Sequence, residues 1–251
     1  MTFKAIRQGR DFLKAHFAET PVTDQMRGLS PPLAQKPCPE GARLIDLVPP
    51  SAMSVGGAPL RQVMEQRRSW REFGPAALTH EQLSFLLWAT QGVRRVTGKG
   101  ATTFRTVPSA GSRHAFETYL SIRRVEGVKE GLYRYLALEH KLCFLKHEEG
   151  LPKALAQACY GQHFVAEAAV VFAWTAVPYR MEWRYATVSH KVIAIDAGHV
   201  SENLYLAAES VGAGACAIAA YDQEAVDRLI DVDGEDEFTV LLSVVGRVGK
   251  L

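Results

Sequence analysis

Eight of the twelve prolines in the chain lie between residues 21 and 59, at Pro21, Pro31, Pro32, Pro37, Pro39, Pro49, Pro50 and Pro59. Each removes a backbone donor and fixes one torsion, so neither a long helix nor a central strand suits that stretch. The 251 residues therefore divide into an N-terminal helix with a proline-rich arm, residues 1–58, and a domain over residues 59–251. Residues 1–20 read as a short amphipathic helix. Residues 21–58 read as an extended arm that wraps its own domain or a partner subunit, or else as a disordered linker.

Composition places the chain among soluble globular proteins. With 47% apolar and 22% charged residues, a chain this long can bury a core without disulfide or metal staples. Basic and acidic side chains number 29 and 27, leaving +2, which argues against a nucleic-acid coat protein and predicts no nucleic-acid partner. Cys38, Cys143, Cys159 and Cys216 are far apart and form no Cys-x-x-Cys pair. They are expected as buried thiols in a reducing compartment. The longest apolar run, AAVVFAWTAV over residues 168–177, is too short to cross a bilayer. A cytoplasmic protein without a membrane partner is the expectation.

Periodicity becomes regular at Leu60. Leu60, Val63, Met64 and Arg67 form a helical stripe that ends near Ser69. Thr79 and Gln82 have capping-box spacing ahead of Leu83, Leu86, Leu87 and Thr90, with Gly92 as the stop. Residues 114–125 and 131–146 alternate as strands, and residues 151–162 suit a helix with Pro152 in its first turn. The 168–177 run reads as a strand buried on both faces. Ile193, Ala197, Val200, Leu204, Ala207 and Val211 recur at helical spacing, followed by a strand in GAGACAIAAY. Asp222 then caps a helix through Ile230, and FTVLLSVVGRV closes the chain as a strand. Helices outnumber strands in this reading without strict alternation, which favours α+β.

Few local motifs suggest chemistry by themselves. Gly212, Gly214 and Ala217 match a loose dinucleotide fingerprint, but the helix precedes and the strand follows, the reverse of what pyrophosphate binding requires. What is left is a glycine pair that either admits a flat ligand close to the backbone or simply caps a helix. VPSAG around Ser109 lacks the first glycine of a nucleophile elbow. His190, Asp196 and His199 have the wrong spacing for two ligands on one helical face, so no metal is expected. Arg67, Arg68, Ser69 and Arg71 crowd three guanidinium groups and a hydroxyl into five residues. That set suits phosphate oxygens, and equally a solvated helix end.

Taken together and in order, four blocks resemble the FMN-dependent nitroreductase superfamily, most closely its SagB-type dehydrogenases. They are RRSWREFGPAALTHEQLSFLLWATQG (67–92), RTVPSAGSRHAFETYL (105–120), DAGHVSENLYLAAESVGAGACAIAAYD (196–222) and EDEFTVLLSVVGR (235–247). The arm is also similar to leaders in that branch. The resemblance implies a nitroreductase-like α+β fold, with a central, mostly antiparallel sheet flanked by helices, in an intertwined homodimer with FMN at the subunit interface.

Carried over by position, Arg67, Arg68 and Ser69 would hold the FMN phosphate and ribityl chain, with Arg71 near the pyrimidine edge. Pro108, Ser109, Ala110, Gly111 and Ser112 match a loop that covers the flavin from the other subunit. Ala213, Gly214 and Ala215 match a turn whose backbone approaches the ring, and Arg247 a further phosphate contact. The implied activity is ping-pong transfer from NAD(P)H through flavin N5 to a small organic acceptor. Oxidation of azoline heterocycles in a peptide, alongside partner proteins, is the alternative within the branch, and a non-catalytic flavin-binding protein is another. Where azoline oxidases carry a Lys-Tyr pair, this chain has Arg184 and Tyr185. An arginine stays protonated and is a poor base, so the pair would bind an anionic substrate, or Tyr185 would donate, orient or pack.

Overall fold

The computed structural model describes residues 3–14, 16–98 and 102–249. Helix α1 (Phe3–Phe12) and a 3-10 turn (Phe17–Glu19) stand where one helix over 1–20 is expected. Met1, Thr2 and Ala15 of that span lie outside the described residues. The arm carries strand β1 (Leu44–Asp46) and leads to helix α2 (Leu60–Gln66), which stops three residues earlier than Ser69 because Arg67 turns extended. Helix α3 (His80–Gln91) begins at the expected capping box, with both reciprocal hydrogen bonds formed, and ends at Gly92.

Strands β2 (Val93–Thr97) and β3 (Thr102–Arg105) pair as a separate antiparallel hairpin. Then follow β4 (Phe116–Ile122), β5 (Gly131–Leu136), β6 (Lys141–Lys146), α4 (Leu151–Ala158), α5 (Phe164–Glu167), β7 (Val170–Ala176), α6 (Tyr179–Tyr185), α7 (Ser189–Ser210), β8 (Ala213–Ile218), α8 (Gln223–Leu229) and β9 (Phe238–Arg247). The expected helix over 151–162 is α4 alone, which stops at Ala158, with α5 starting beyond Gln162; Asp222 caps α8 by accepting from the Ala225 N–H. Among the described residues nine strands stand against eight α-helices, so helices do not outnumber strands. The hairpin β2–β3, the edge strand β1 and the split of 131–146 into two strands make the difference.

Seven strands form one sheet in the order β1-β6-β5-β4-β7-β9-β8. Every neighbouring pair is antiparallel. Side chains alternate along β7: Phe172 and Trp174 enter the core beneath α3 and α7, while Val171 and Ala173 enter the one beneath α4 and α8. Two covered faces explain why that strand is apolar throughout, with every residue buried. The architecture is α+β, a helix layer on each side of an antiparallel sheet.

The arm lies on its own domain. Arginines buried in the domain donate to its carbonyls: Arg180 Nε to Leu33 O (2.9 Å), Arg105 Nη2 to Ala34 O (3.0 Å) and Arg134 Nη2 to Pro37 O (2.7 Å). Glu117 joins them, pairing with Arg180 and accepting from the Lys36 N–H at 2.7 Å. Lys36 in turn pairs with Glu237, which takes a 2.6 Å bond from Thr175. A buried charge is costly unless paired and hydrogen-bonded, so these arginines need the arm as the arm needs them. Desolvation is strong enough to bring Arg105 down to about 10. One cysteine departs from expectation: Cys38 is exposed because it sits on the arm, whereas Cys143, Cys159 and Cys216 are buried.

Candidate functional site

The residues singled out from the sequence fall into two groups. The first follows α2. From Arg67 the chain runs alongside β8, where Ser69 bridges to Ala215 in parallel and the Trp70 N–H donates to Ala215 O at 2.9 Å. Ser69 Oγ lies 3.0 Å from the Tyr205 hydroxyl, which also accepts from the Ala217 N–H at 2.8 Å. The Arg67 guanidinium stands 5.3 Å over the Tyr205 ring, and that of Arg68 stacks 3.8 Å over Trp70. Arg247 reaches the same helix-to-strand turn and donates to Val211 O at 3.3 Å.

Among the described residues, the arginines paired to carboxylates are Arg27, Arg61, Arg180 and Arg228. Arg67, Arg68, Arg71 and Arg247 are not among them. Three guanidinium groups without a carboxylate partner, those of Arg67, Arg68 and Arg247, at the strand edge that carries Ser69, match the donor set that a phosphate ester requires. Trp70 Nε1 is a buried donor without a protein partner, a further polar atom left open in this region.

The glycine turn is not an open floor. Gly212 caps α7 with a left-handed φ of 67°, the capping role its position allowed. A Cβ on Gly214 would lie 2.4 Å from Trp70 Cγ and 2.6 Å from Val248 Cγ1. Its neighbour across the ladder, Gly246, would meet Phe73 at 2.7 Å. The flat groups these glycines admit are therefore the chain's own Trp70 and Phe73. Ala213, Gly214 and Ala215 are buried in β8 and hold the arginine segment against the sheet edge.

The second group surrounds the loop 108–112. Gly111, Ser112 and His114 have φ of 56°, 52° and 47°. For Ser112 and His114 that is a strained, left-handed backbone. Burial drives the His114 imidazole down to about 3, helped by the cations Arg105, Arg113 and Arg180. Asp196 of α7, itself buried, supports the loop: its carboxylate takes the Ala110 N–H at 3.4 Å and a bond from Ser109. Desolvation raises the Asp196 carboxyl above its ordinary value against those donors, and its Oδ2 has no protein partner.

Arg184 and Tyr185 close over this loop. A Cβ on Gly111 would come within 2.7 Å of the Tyr185 hydroxyl and 2.8 Å of Arg184 Nε, so only glycine permits the contact. Arg184 is exposed and Tyr185 half-buried, packed on the core edge. Arg113 lies close enough that Arg184 lowers its basicity, after the larger effect of burial. The arm fixes α6 from outside, with Trp183 Nε1 donating to Leu29 O at 3.0 Å and Gln25 N–H to Trp183 O at 2.9 Å.

The structure thus joins Arg67, Arg68, Ser69, Gly214 and Arg247 at one end of β8, and Ser109, Ala110, Gly111, Arg184 and Tyr185 at the other end of α7. Asp196 and Tyr205 mark the two ends, nine residues apart on that helix, or about 14 Å of helical rise. Tyr205, Trp70, Trp183 and the supporting role of Asp196 escape sequence reasoning. Only Asp196 left a signal: it is a carboxylate three residues after Ile193 on the buried stripe. His190 and His199 are exposed, 2.9 Å from Glu182 and 3.9 Å from Asp196 respectively. No group of three or more potential ligands among the described residues could hold a metal ion. No helix among them is long and apolar enough to cross a membrane.

Known proteins share this fold. The model of the nitroreductase family matches residues 64–247. A Methanocaldococcus jannaschii protein named as a candidate nitroreductase is 34% identical over 188 residues, 75% of this chain and 90% of its own. A candidate nitroreductase from Ralstonia eutropha JMP134, solved by crystallography, superposes with a TM-score of 0.69 at 29% identity, covering 89% of this chain and 97% of that one. The NADPH:FMN oxidoreductase of Vibrio harveyi, solved with NAD+, shares the fold with a TM-score of 0.54 at 18% identity over 76% of this chain and 69% of its own. The four sequence blocks, the antiparallel sheet and these matches agree: the chain belongs to the nitroreductase family.

Proposed function

We propose that this protein is an FMN-dependent oxidoreductase, in which NAD(P)H and a small organic acceptor use one site in turn. The observation that carries this reading is that Arg67, Arg68 and Arg247, none of them paired to a carboxylate, stand with Ser69 at the edge of β8. Arg67, Arg68, Ser69 and Arg247 would hold the phosphate end, and Arg71 the pyrimidine edge of the ring. Bound FMN would supply reversible two-electron chemistry with hydride exchange at its N5. The chain's own part is to bind, orient and exclude water, and no side chain needs to act as acid or base for hydride transfer.

The separation of the two groups along α7 supports a homodimer in which the 108–112 loop, Arg184 and Tyr185 of one subunit complete the arginine end of the other. Exposed Leu60 and Met64 on α2 and Ile195 on α7 supply apolar surface for such an interface. Within the family, the ordered arm over α6 favours the SagB-type branch, while Arg184 in place of a basic lysine disfavours azoline oxidation. The same reading expects a cytoplasmic protein, where reduced nicotinamides are available.

The test is the visible spectrum of the purified protein, followed without oxygen as NADH and then NADPH are added. An oxidised-flavin spectrum that bleaches with one donor supports the reading and identifies the donor. A colourless protein that takes up no added FMN sinks it.

A further inference from the structure

Where the arm crosses the sheet edge, Cys38 meets Cys143 of β6 with their sulfur atoms 3.3 Å apart. Cys38 is exposed and Cys143 fully buried. Both sides of the pair are held in place. Pro37 and Pro39 flank Cys38 and restrict its backbone, and Pro37 O takes the bond from buried Arg134. Arg134 is the register partner of Cys143 on β5, and Leu44 of the arm is its partner on β1. Burial, and then the neighbouring Cys38, push the Cys143 thiol up to about 11. The two thiols are therefore unequal: one is reachable from solvent, and the other is shielded and nucleophilic only toward a sulfur already beside it.

We infer that Cys38 and Cys143 form a reversible disulfide that fastens the arm to the sheet when the protein meets hydrogen peroxide. The Cys38 thiolate attacks one peroxide oxygen, the O–O bond breaks, and the released hydroxide takes a proton to leave as water. The Cys143 sulfur then displaces the oxygen from the Cys38 sulfenic acid, which departs as a second water with the Cys143 proton. Two thiols lose two electrons and two protons, and one peroxide becomes two waters. The sulfurs need to close by only about 1.3 Å to reach bonding distance. Residues 24–37 just before Cys38 hold α6 through Tyr179, Arg180 and Trp183. The link therefore ties down the segment that holds α6, the helix that carries Arg184 and Tyr185. Cys38 acts as sensor and Cys143 as resolving thiol, independently of which acceptor the protein reduces.

The experiment treats the full-length protein with a small excess of hydrogen peroxide, counts free thiols after denaturation, and maps the peptides. The four thiols should fall to two, with Cys38 and Cys143 joined in one chain. The thermal midpoint should rise by about 5 °C or more and return with dithiothreitol. Cys38→Ser, at an exposed position that leaves the fold intact, should keep its remaining thiols and show no shift. Four surviving thiols, a Cys38 link between two chains, or equal thiol loss in Cys38→Ser would each overturn the assignment. A link that forms without raising the midpoint would overturn the fastening of the arm.

Discussion

The two ends of α7 are built on opposite principles. At the β8 end, Arg67, Arg68 and Ser69 sit on an ordinary extended backbone, stacked on Tyr205 and Trp70, with positive charge left unbalanced. At the other end, a carboxylate is buried and the backbone is strained: Gly111, Ser112 and His114 turn left-handed beside a desolvated Asp196. In the proposed function the first end receives an anion from outside, while the second holds one loop shape. A cation without a protein counter-charge gains from a ligand's charge and hydrogen bonds, whereas a strained loop persists only when buried contacts over-determine it.

Substitution can sharpen that contrast, and the largest effect belongs to the β8 end. Gly214→Val would drive a side chain into Trp70, and overpacking of this kind costs about 3 kcal/mol. The expected result is a lower thermal midpoint together with loss of FMN retention. A stable variant that keeps its flavin would show that Trp70 yields freely. Arg67→Ala should leave stability unchanged and weaken FMN binding by about 2 kcal/mol, the loss of one charge-assisted hydrogen bond. Equal flavin occupancy in a titration would remove Arg67 from the phosphate site.

The loop end should respond in stability first. Asp196→Ala leaves the Ala110 N–H and Ser109 without their acceptor and should cost about 1.5 kcal/mol in chemical denaturation. Asp196→Asn separates charge from hydrogen bonding. Because the native carboxyl titrates above its ordinary 3.8, its contribution to stability is full below that value and declines as pH rises through the native one. The asparagine variant should therefore gain on the wild type as pH rises above 3.8, the ordinary carboxyl value. A gain that runs the other way would mean that the Ser109 and Ala110 donors outweigh desolvation, and that this end too is held by charge.

Elements with local causes were legible in advance. The Thr79–Gln82 box, the Asp222 cap, the stripe from Ile193 to Leu204 and the all-apolar β7 depend on neighbours a few residues away. The hairpin β2–β3 was hidden because Arg94, Arg95 and Val96 are all exposed and show no alternation. Helix α6 was hidden because it is seven residues long, and what holds it is the arm, some 150 positions upstream. The arm's own fate was open for the same reason. Nothing near Leu33 or Ala34 shows that arginines at 180 and 105 will seek their carbonyls.

The sequence by itself determined the individual capped helices, the buried strand and the stretch where guanidinium groups gather, because periodicity, caps and charge are properties of adjacent residues. The resemblance of its four blocks pointed to the fold and the family. Only the tertiary structure decided that Trp70 fills the space beside Gly214, that Asp196 braces the 108–112 loop, and that Cys38 lies against Cys143. Each is a contact across a sheet or along α7 between residues distant in the chain. Such contacts are selected by close packing and by the cost of leaving a buried polar group unpaired, neither of which has a local pattern to read.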